Sequence, residues 1–219
     1  MQHFTPNTRQ LINIITLVIT AIPALLATTS LIIEAAPGGK DLPATVNQGD
    51  RLRVPSGGYC TIGYVDNTAR TITTAKHCAD AAFSHNTPFA KVGFGVISRT
   101  PPTHLPDRDI AYIHLSDNVE IGDNQYSTNV ILTHSDVEAI LNTTPNTQVC
   151  SLSRRANTTH CKPVTRIDHA YLYSRGATNR SGDSGGPVWL IDDQGKPLGF
   201  VGVISATGDD EDIYALNPD

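Results

Sequence analysis

Near the C-terminal end, Gly182-Asp183-Ser184-Gly185-Gly186-Pro187 sets three glycines and a proline around one serine, ahead of the apolar run Val188-Trp189-Leu190-Ile191. That much glycine in six residues specifies a turn that ordinary side chains cannot adopt, leading into a buried strand. Any fold of this chain must therefore present Ser184 on that turn. A serine hydroxyl is a poor nucleophile at neutral pH, so it needs an imidazole to accept its proton and a carboxylate to orient the imidazole. Upstream, His77 stands in Thr73-Thr74-Ala75-Lys76-His77-Cys78, after a β-branched stretch. Asp109 opens Asp109-Ile110-Ala111-Tyr112-Ile113-His114-Leu115, whose period of two reads as a strand with the carboxylate at its start. Asp107 competes for that role, and the Asp109-Ile110-Ala111 context decides for Asp109.

From Tyr59 onward, short stretches of strand character alternate with turn residues. Strands are predicted over 60–65, 70–74, 91–98, 109–115, 129–132, 148–152, 160–165, 170–173, 188–191, 198–205 and 213–216, with a hairpin turn at Asp66-Asn67. No long helical pattern interrupts them, which argues for an all-β barrel or sandwich. The chain has 219 residues, 39% of them hydrophobic, enough for one compact unit with a real core. A net charge of -5, with no basic run, argues against nucleic acid as a partner.

Residues 11–33 differ in kind: Leu, Ile, Val, Ala and Thr dominate, with Arg9 before and Glu34 after. Two readings stand, a secretory signal or an uncleaved membrane anchor over 1–36, and membrane contact is expected only through this segment if it stays attached. Residues 37–52, with Pro37-Gly38-Gly39 and Pro43, read as a linker or short pro-segment before a catalytic domain over 53–219. Either reading sends that domain out of the cytoplasm. The four cysteines, Cys60, Cys78, Cys150 and Cys161, agree: they lack CxxC spacing for a metal, and three disulfide connectivities are formally open. No metal or cofactor is expected.

Taken together and in this order, the His77 segment, the Asp109 strand and GDSGGP resemble the chymotrypsin-like serine proteases. Gly57-Gly58-Tyr59-Cys60-Thr61-Ile62-Gly63-Tyr64 is similar to the bacterial branch of alpha-lytic protease and streptogrisin, and the likeness covers roughly residues 50–219. The resemblance implies two six-stranded antiparallel Greek-key barrels, about 53–120 and 125–219, with the active site in the cleft between them. It also implies catalytic His77, Asp109 and Ser184, an oxyanion hole from the N–H groups of Gly182 and Ser184, and bridges Cys60–Cys78 and Cys150–Cys161. Substrate would be a protein or peptide, bound by Thr178 and Asn179, by the strand Ser205-Ala206-Thr207, and near Asp212; a monomer is expected. Thr178 replaces the aspartate of trypsin-like members, while Asp212, in the acidic run Asp209-Asp210-Glu211-Asp212, either enters the pocket or belongs to a solvated loop. Asp183 is expected to pair with an internal arginine, Arg154, Arg155 or Arg180. The competing functional reading is a catalytically silent or latent protease-fold binding module at the cell surface.

Overall fold

β-branched and aromatic residues at alternating positions build sixteen short strands, described over residues 45–54, 58–84 and 88–219 of a computed structural model, with backbone alone for 82–84. The expected signal or anchor, and the linker as far as residue 44, lie outside the described residues. Within the stretch read as linker, β1 (Thr45–Val46) and β2 (Arg51–Arg53) are strands. In β2, Leu52 is fully buried between exposed Arg51 and Arg53, a run too short for sequence periodicity to reveal.

The N-terminal half contains two four-stranded sheets. One has the order β3 (Tyr59–Thr61), β2, β6 (Phe89–Lys91), β7 (Gly95–Ser98). The other runs β4 (Tyr64–Asp66), β5 (Thr71–Thr74), β9 (Ala111–His114), β8 (Thr103–His104), and β10 (Glu120–Ile121) pairs in parallel with β1. The C-terminal half is a closed six-stranded barrel: β11 (Gln148–Ser153), β12 (Thr158–Asp168), β13 (Tyr171–Arg175), β16 (Glu211–Leu216), β15 (Pro197–Thr207), β14 (Pro187–Ile191). The all-β class and one barrel thus match the sequence reading. The N-terminal strands form sheets without closing into a ring.

Several strands differ from expectation for local reasons. The stretch 60–65 breaks into β3 and β4, while 91–98 is a hairpin because Gly93 and Gly95 take positive φ (90° and 92°). Residues 129–132 contribute only the isolated bridge Ile131–Phe200. The Asp66 turn forms as read, its carboxylate accepting the amides of Thr68 and Ala69. Two helices also appear among the described residues, α1 (Lys76–Ser84) and α2 (His134–Thr143). A capping box starts α2, in which Thr133 and Asp136 exchange side-chain to backbone bonds.

One core cluster spans both halves. It joins Leu52, Ile62, Ile72, Ile97, Ile110 and Ile113 to Phe200, Val203 and Ala215 of the barrel. Tyr64 stacks on Phe200 at 4.7 Å, and Arg108 donates to the Leu216 carbonyl at 3.0 Å. These contacts fix the seam on which the serine turn lies.

Candidate active site

Antiparallel pairing brings the histidine and aspartate together. In the β5–β9 register Thr74 lies opposite Ala111, so the chain just beyond the end of β5 and the chain just before β9 meet at one edge. His77 occupies the first turn of α1 there, rather than a strand end, and Asp109 faces it. Asp109 accepts the His77 main-chain N–H on one oxygen (2.9 Å) and contacts Nδ1 with the other (2.8 Å). Two bonds to one residue hold the imidazole in a single orientation. With Nδ1 donating to the carboxylate, Nε2 is left as the basic nitrogen.

The serine turn is attached to the same edge. The Ser184 carbonyl accepts the Thr61 N–H (2.8 Å) and lies 3.9 Å from Cys78 Sγ, immediately after His77. A Cβ added to Gly185 would stand 2.1 Å from Thr74 Oγ1 and 2.8 Å from the Ala75 nitrogen, so glycine alone allows the turn to sit against the histidine segment. On its other flank the turn is tied to the barrel: the Gly185 N–H donates to the Ile204 carbonyl and the Ile204 N–H to that of Gly186. Gly182 has φ +99°, and among the described residues neither its N–H nor that of Ser184 donates to a protein acceptor. Both N–H groups are thus left without a protein acceptor beside the half-buried Ser184.

Electrostatics favour an imidazole that readily takes a proton. The hydrogen bond to Asp109 raises the His77 pKa, against the opposing effect of burial and with help from the charges of Asp109 and Asp80. Burial works to raise the Asp109 pKa, but bonds from His77 and from the Ser205 hydroxyl (2.7 Å) outweigh it and hold the carboxyl below its ordinary range. Ser205, read from sequence only as part of a substrate-binding strand, thus supports the aspartate through its side chain. Sequence carries no signal for that bond, since it spans 96 positions.

The other expected contact residues cluster around Asp212, with a different outcome from either sequence alternative. Asp212 is fully buried and accepts from Lys162 Nζ (2.7 Å), Thr178 Oγ1 (2.6 Å), the Thr178 and Asn179 amides, and Thr207 Oγ1 (3.2 Å). It is neither a solvated loop carboxylate nor a free charge awaiting a basic side chain. Although burial opposes it, the Lys162 bond keeps the carboxyl below its ordinary range. Lys162 had no sequence signal: it meets Asp212 only because β12 and β16 both flank β13 in the barrel. Asn179 is 2% exposed, and its side-chain nitrogen has no hydrogen-bond partner among the described residues. Ala206 is exposed on the β15 edge beside Thr207.

Asp183 corrects another expectation. Its buried carboxylate accepts from Ser153 Oγ (2.9 Å) and from the main-chain amides of Arg155 (3.1 Å) and Arg180 (2.8 Å). No guanidinium pairs with it among the described residues. Arg180 instead donates to the carbonyls of Ala177 and Asn179, and Arg154 to Asn157. Three short dipoles stabilise the anion where an ion pair was expected.

The chain is similar to two uncharacterized proteins of Mycobacterium tuberculosis, 28% identical over 155 residues (strain H37Rv) and 29% identical over 163 residues (strain CDC 1551), each alignment covering 67% of both chains. No family model matches. Among solved structures it is similar to the serine protease of a human pathogenic astrovirus (14% identity, 81% of this chain and 95% of that one, TM-score 0.45). It is also similar to tobacco etch virus protease bound to product (13%, 77% and 72%, TM-score 0.47) and to a Glu endopeptidase (17%, 77% and 85%, TM-score 0.42). The functional reading rests on the geometry of the site itself.

Both disulfides form as the resemblance implied. Cys60–Cys78 ties β3 to α1 directly under His77, and Cys150–Cys161 joins register partners of β11 and β12. His77, Cys60 and Cys78 bring ligand atoms within 4.8 Å of one another, but both sulfurs are committed to the bridge, leaving one imidazole. A concavity of about 630 Å³ between α2 and β12 is lined by none of the candidate site residues. Among the described residues no helix is long and apolar enough to cross a membrane.

Proposed function

We propose that this chain is a serine endopeptidase that hydrolyses peptide bonds through an acyl-enzyme, with His77, Asp109 and Ser184 as its triad. The observation that carries the reading is the two-point clamp of Asp109 on His77, at 2.9 and 2.8 Å, on the edge to which the Ser184 turn is bonded. In this mechanism Ser184 Oγ attacks the carbonyl carbon while its proton passes to His77 Nε2, and the carbonyl oxygen takes up the electron pair beside the Gly182 and Ser184 N–H groups. Collapse breaks the C–N bond, and His77 returns the proton to the leaving amine. Water then repeats the sequence, releasing the acid and restoring Ser184.

On this reading the two N-terminal sheets stand in for the first of two six-stranded Greek-key barrels, and the chain joins the bacterial alpha-lytic and streptogrisin branch. Thr178, Asn179, Ser205, Ala206 and Thr207 contact the acyl side of the substrate, with Asp212 bracing them from beneath. Two disulfides support an extracytoplasmic setting, reached through residues 1–36. The test is hydrolysis of a mixed peptide library by protein beginning near residue 38, with Ser184→Ala as control. Cleavage at defined bonds that vanishes in the variant supports the reading. Intact peptides with well-folded, disulfide-bonded protein overturn it in favour of a silent binding module.

A further inference from the structure

Beside the free oxyanion donors lies a second cavity, about 300 Å³, lined by Arg51, Gly58, Tyr59, Arg155, Ser181 and Gly182. It shares Gly182 with the oxyanion site but none of Thr178, Asn179, Ser205, Ala206, Thr207 or Asp212. The cavity is bounded by Gly182 and Ser181 of the serine turn and by Arg51 and Tyr59 of β2 and β3, apart from the residues assigned to the acyl half of a substrate, and is taken as the side that receives the leaving amine. Both arginines are fixed to the serine turn through their backbones. Arg155 N–H holds the Asp183 carboxylate, and Arg51 pairs in register with Thr61, whose N–H holds the Ser184 carbonyl.

Among the described residues neither guanidinium has a carboxylate partner and no acidic side chain lines the cavity. Both side chains are exposed. Arg51 lies over the Tyr59 ring at 5.9 Å, which limits its sweep, and Arg53 is exposed two residues along the same strand. Two anchored, unpaired forks over one concavity are suited to a carboxylate.

We propose that this cavity is a leaving-group subsite that selects a carboxylate shortly after the scissile bond. The carboxylate is either an acidic side chain or the free C-terminus of a short leaving fragment. The inference rests on the peptidase reading above and names a substrate class for that same site. A preference on this side arises from Arg51 and Arg155 and is independent of the buried Lys162–Asp212 pair.

The test uses fluorogenic peptides with a common acyl half taken from the library, carrying Glu or Gln at the first or second position after the cut. A second pair ends in a free acid or an amide two residues after the cut. Active sites are counted first by the acylation burst of an activated ester. The expected kcat/KM ratio of acid to neutral partner is about 3- to 10-fold at low salt, decaying toward unity near ~1 M salt as the exposed charges are screened. The Glu/Gln pair moving assigns an acidic side chain, and the acid/amide pair moving assigns a chain terminus. Arg51→Gln with Arg155→Gln brings the ratio near one, and the Arg→Lys pair retains part of it. Because the readout is a ratio, a general loss of activity cancels. A burst with ratios near one in the unaltered protein overturns the subsite alone, whereas absence of any burst overturns the peptidase reading and the subsite with it.

Discussion

At the scale of single residues, proton transfer by His77 depends on its contact with Asp109. Because the bond to Asp109 raises the His77 pKa, and only the neutral ring can accept the serine proton, kcat/KM is expected to rise with pH through a midpoint above the ordinary imidazole value of about 6.5. Asp109→Asn should lower kcat by roughly 10⁴-fold and move that midpoint down, since the amide neither fixes the tautomer nor stabilises the imidazolium. A pH–rate profile of both proteins checks this. Linkage has the matching sign: the stability from a protonated His77 is complete below about 6.5 and is lost as pH rises through its raised folded value, whereas that from ionised Asp109 is lost as pH falls through its lowered one. Ser205→Ala removes one donor from Asp109 and should cost on the order of 10-fold in kcat, with a smaller change in KM. The three residues proposed as the triad stood out in sequence because each sits in a distinctive local segment. The Ser205 bond was not, because a serine on a strand edge shows no preference for what its hydroxyl will meet.

At the scale of elements, the serine turn and the barrel strands make different demands. In Gly185→Ala the new methyl meets Thr74 and backbone atoms at a φ of +80°, so a loss on the order of 3 kcal/mol or more is expected, seen as a melting point lowered by roughly 6–12 °C. At Gly182 the nearest atom to an added Cβ is 3.5 Å away, and strain at φ +99° is the main penalty, about 1–3 kcal/mol; calorimetry should separate the two variants. Lys162→Ala leaves Asp212 buried without its counter-charge and should destabilise the barrel by about 3–5 kcal/mol, much of it restored by adding Asp212→Asn. Denaturant melts of the single and double variants test that coupling. Turn chemistry made the Asp66 hairpin readable, and period-two runs made the barrel strands readable to within a few residues. The signal for α2 was also present, in Thr133 and Asp136 spaced as a cap and in Val137, Ile140 and Leu141 at helical intervals. It was obscured by the β-rich surroundings. The split of residues 91–98 depended on glycine conformations that composition alone does not fix.

At the scale of the whole molecule, the two bridges close short loops, with sequence separations of 18 and 11, and each should contribute ~3 kcal/mol by restricting the unfolded chain. Reduction under native conditions is expected to lower the melting temperature markedly and to loosen the His77 edge through Cys60–Cys78. The barrel was foreseeable from strand spacing, but closure of one half and the open sheets of the other follow from long-range register, which no local window contains. Specificity was the least legible property, since the charge of Asp212 depends on Lys162, reached only through the barrel. With that pair closed on itself, peptides with Arg or Lys before the cut should show no advantage over neutral ones. The most direct test of the central claim is stoichiometric labelling of folded, disulfide-bonded protein by a fluorophosphonate, with the adduct located by peptide mapping. One label per chain on Ser184, abolished by Ser184→Ala and slowed by Asp109→Asn, is the predicted result. Folded protein that takes up no label, or takes it elsewhere, would contradict the account.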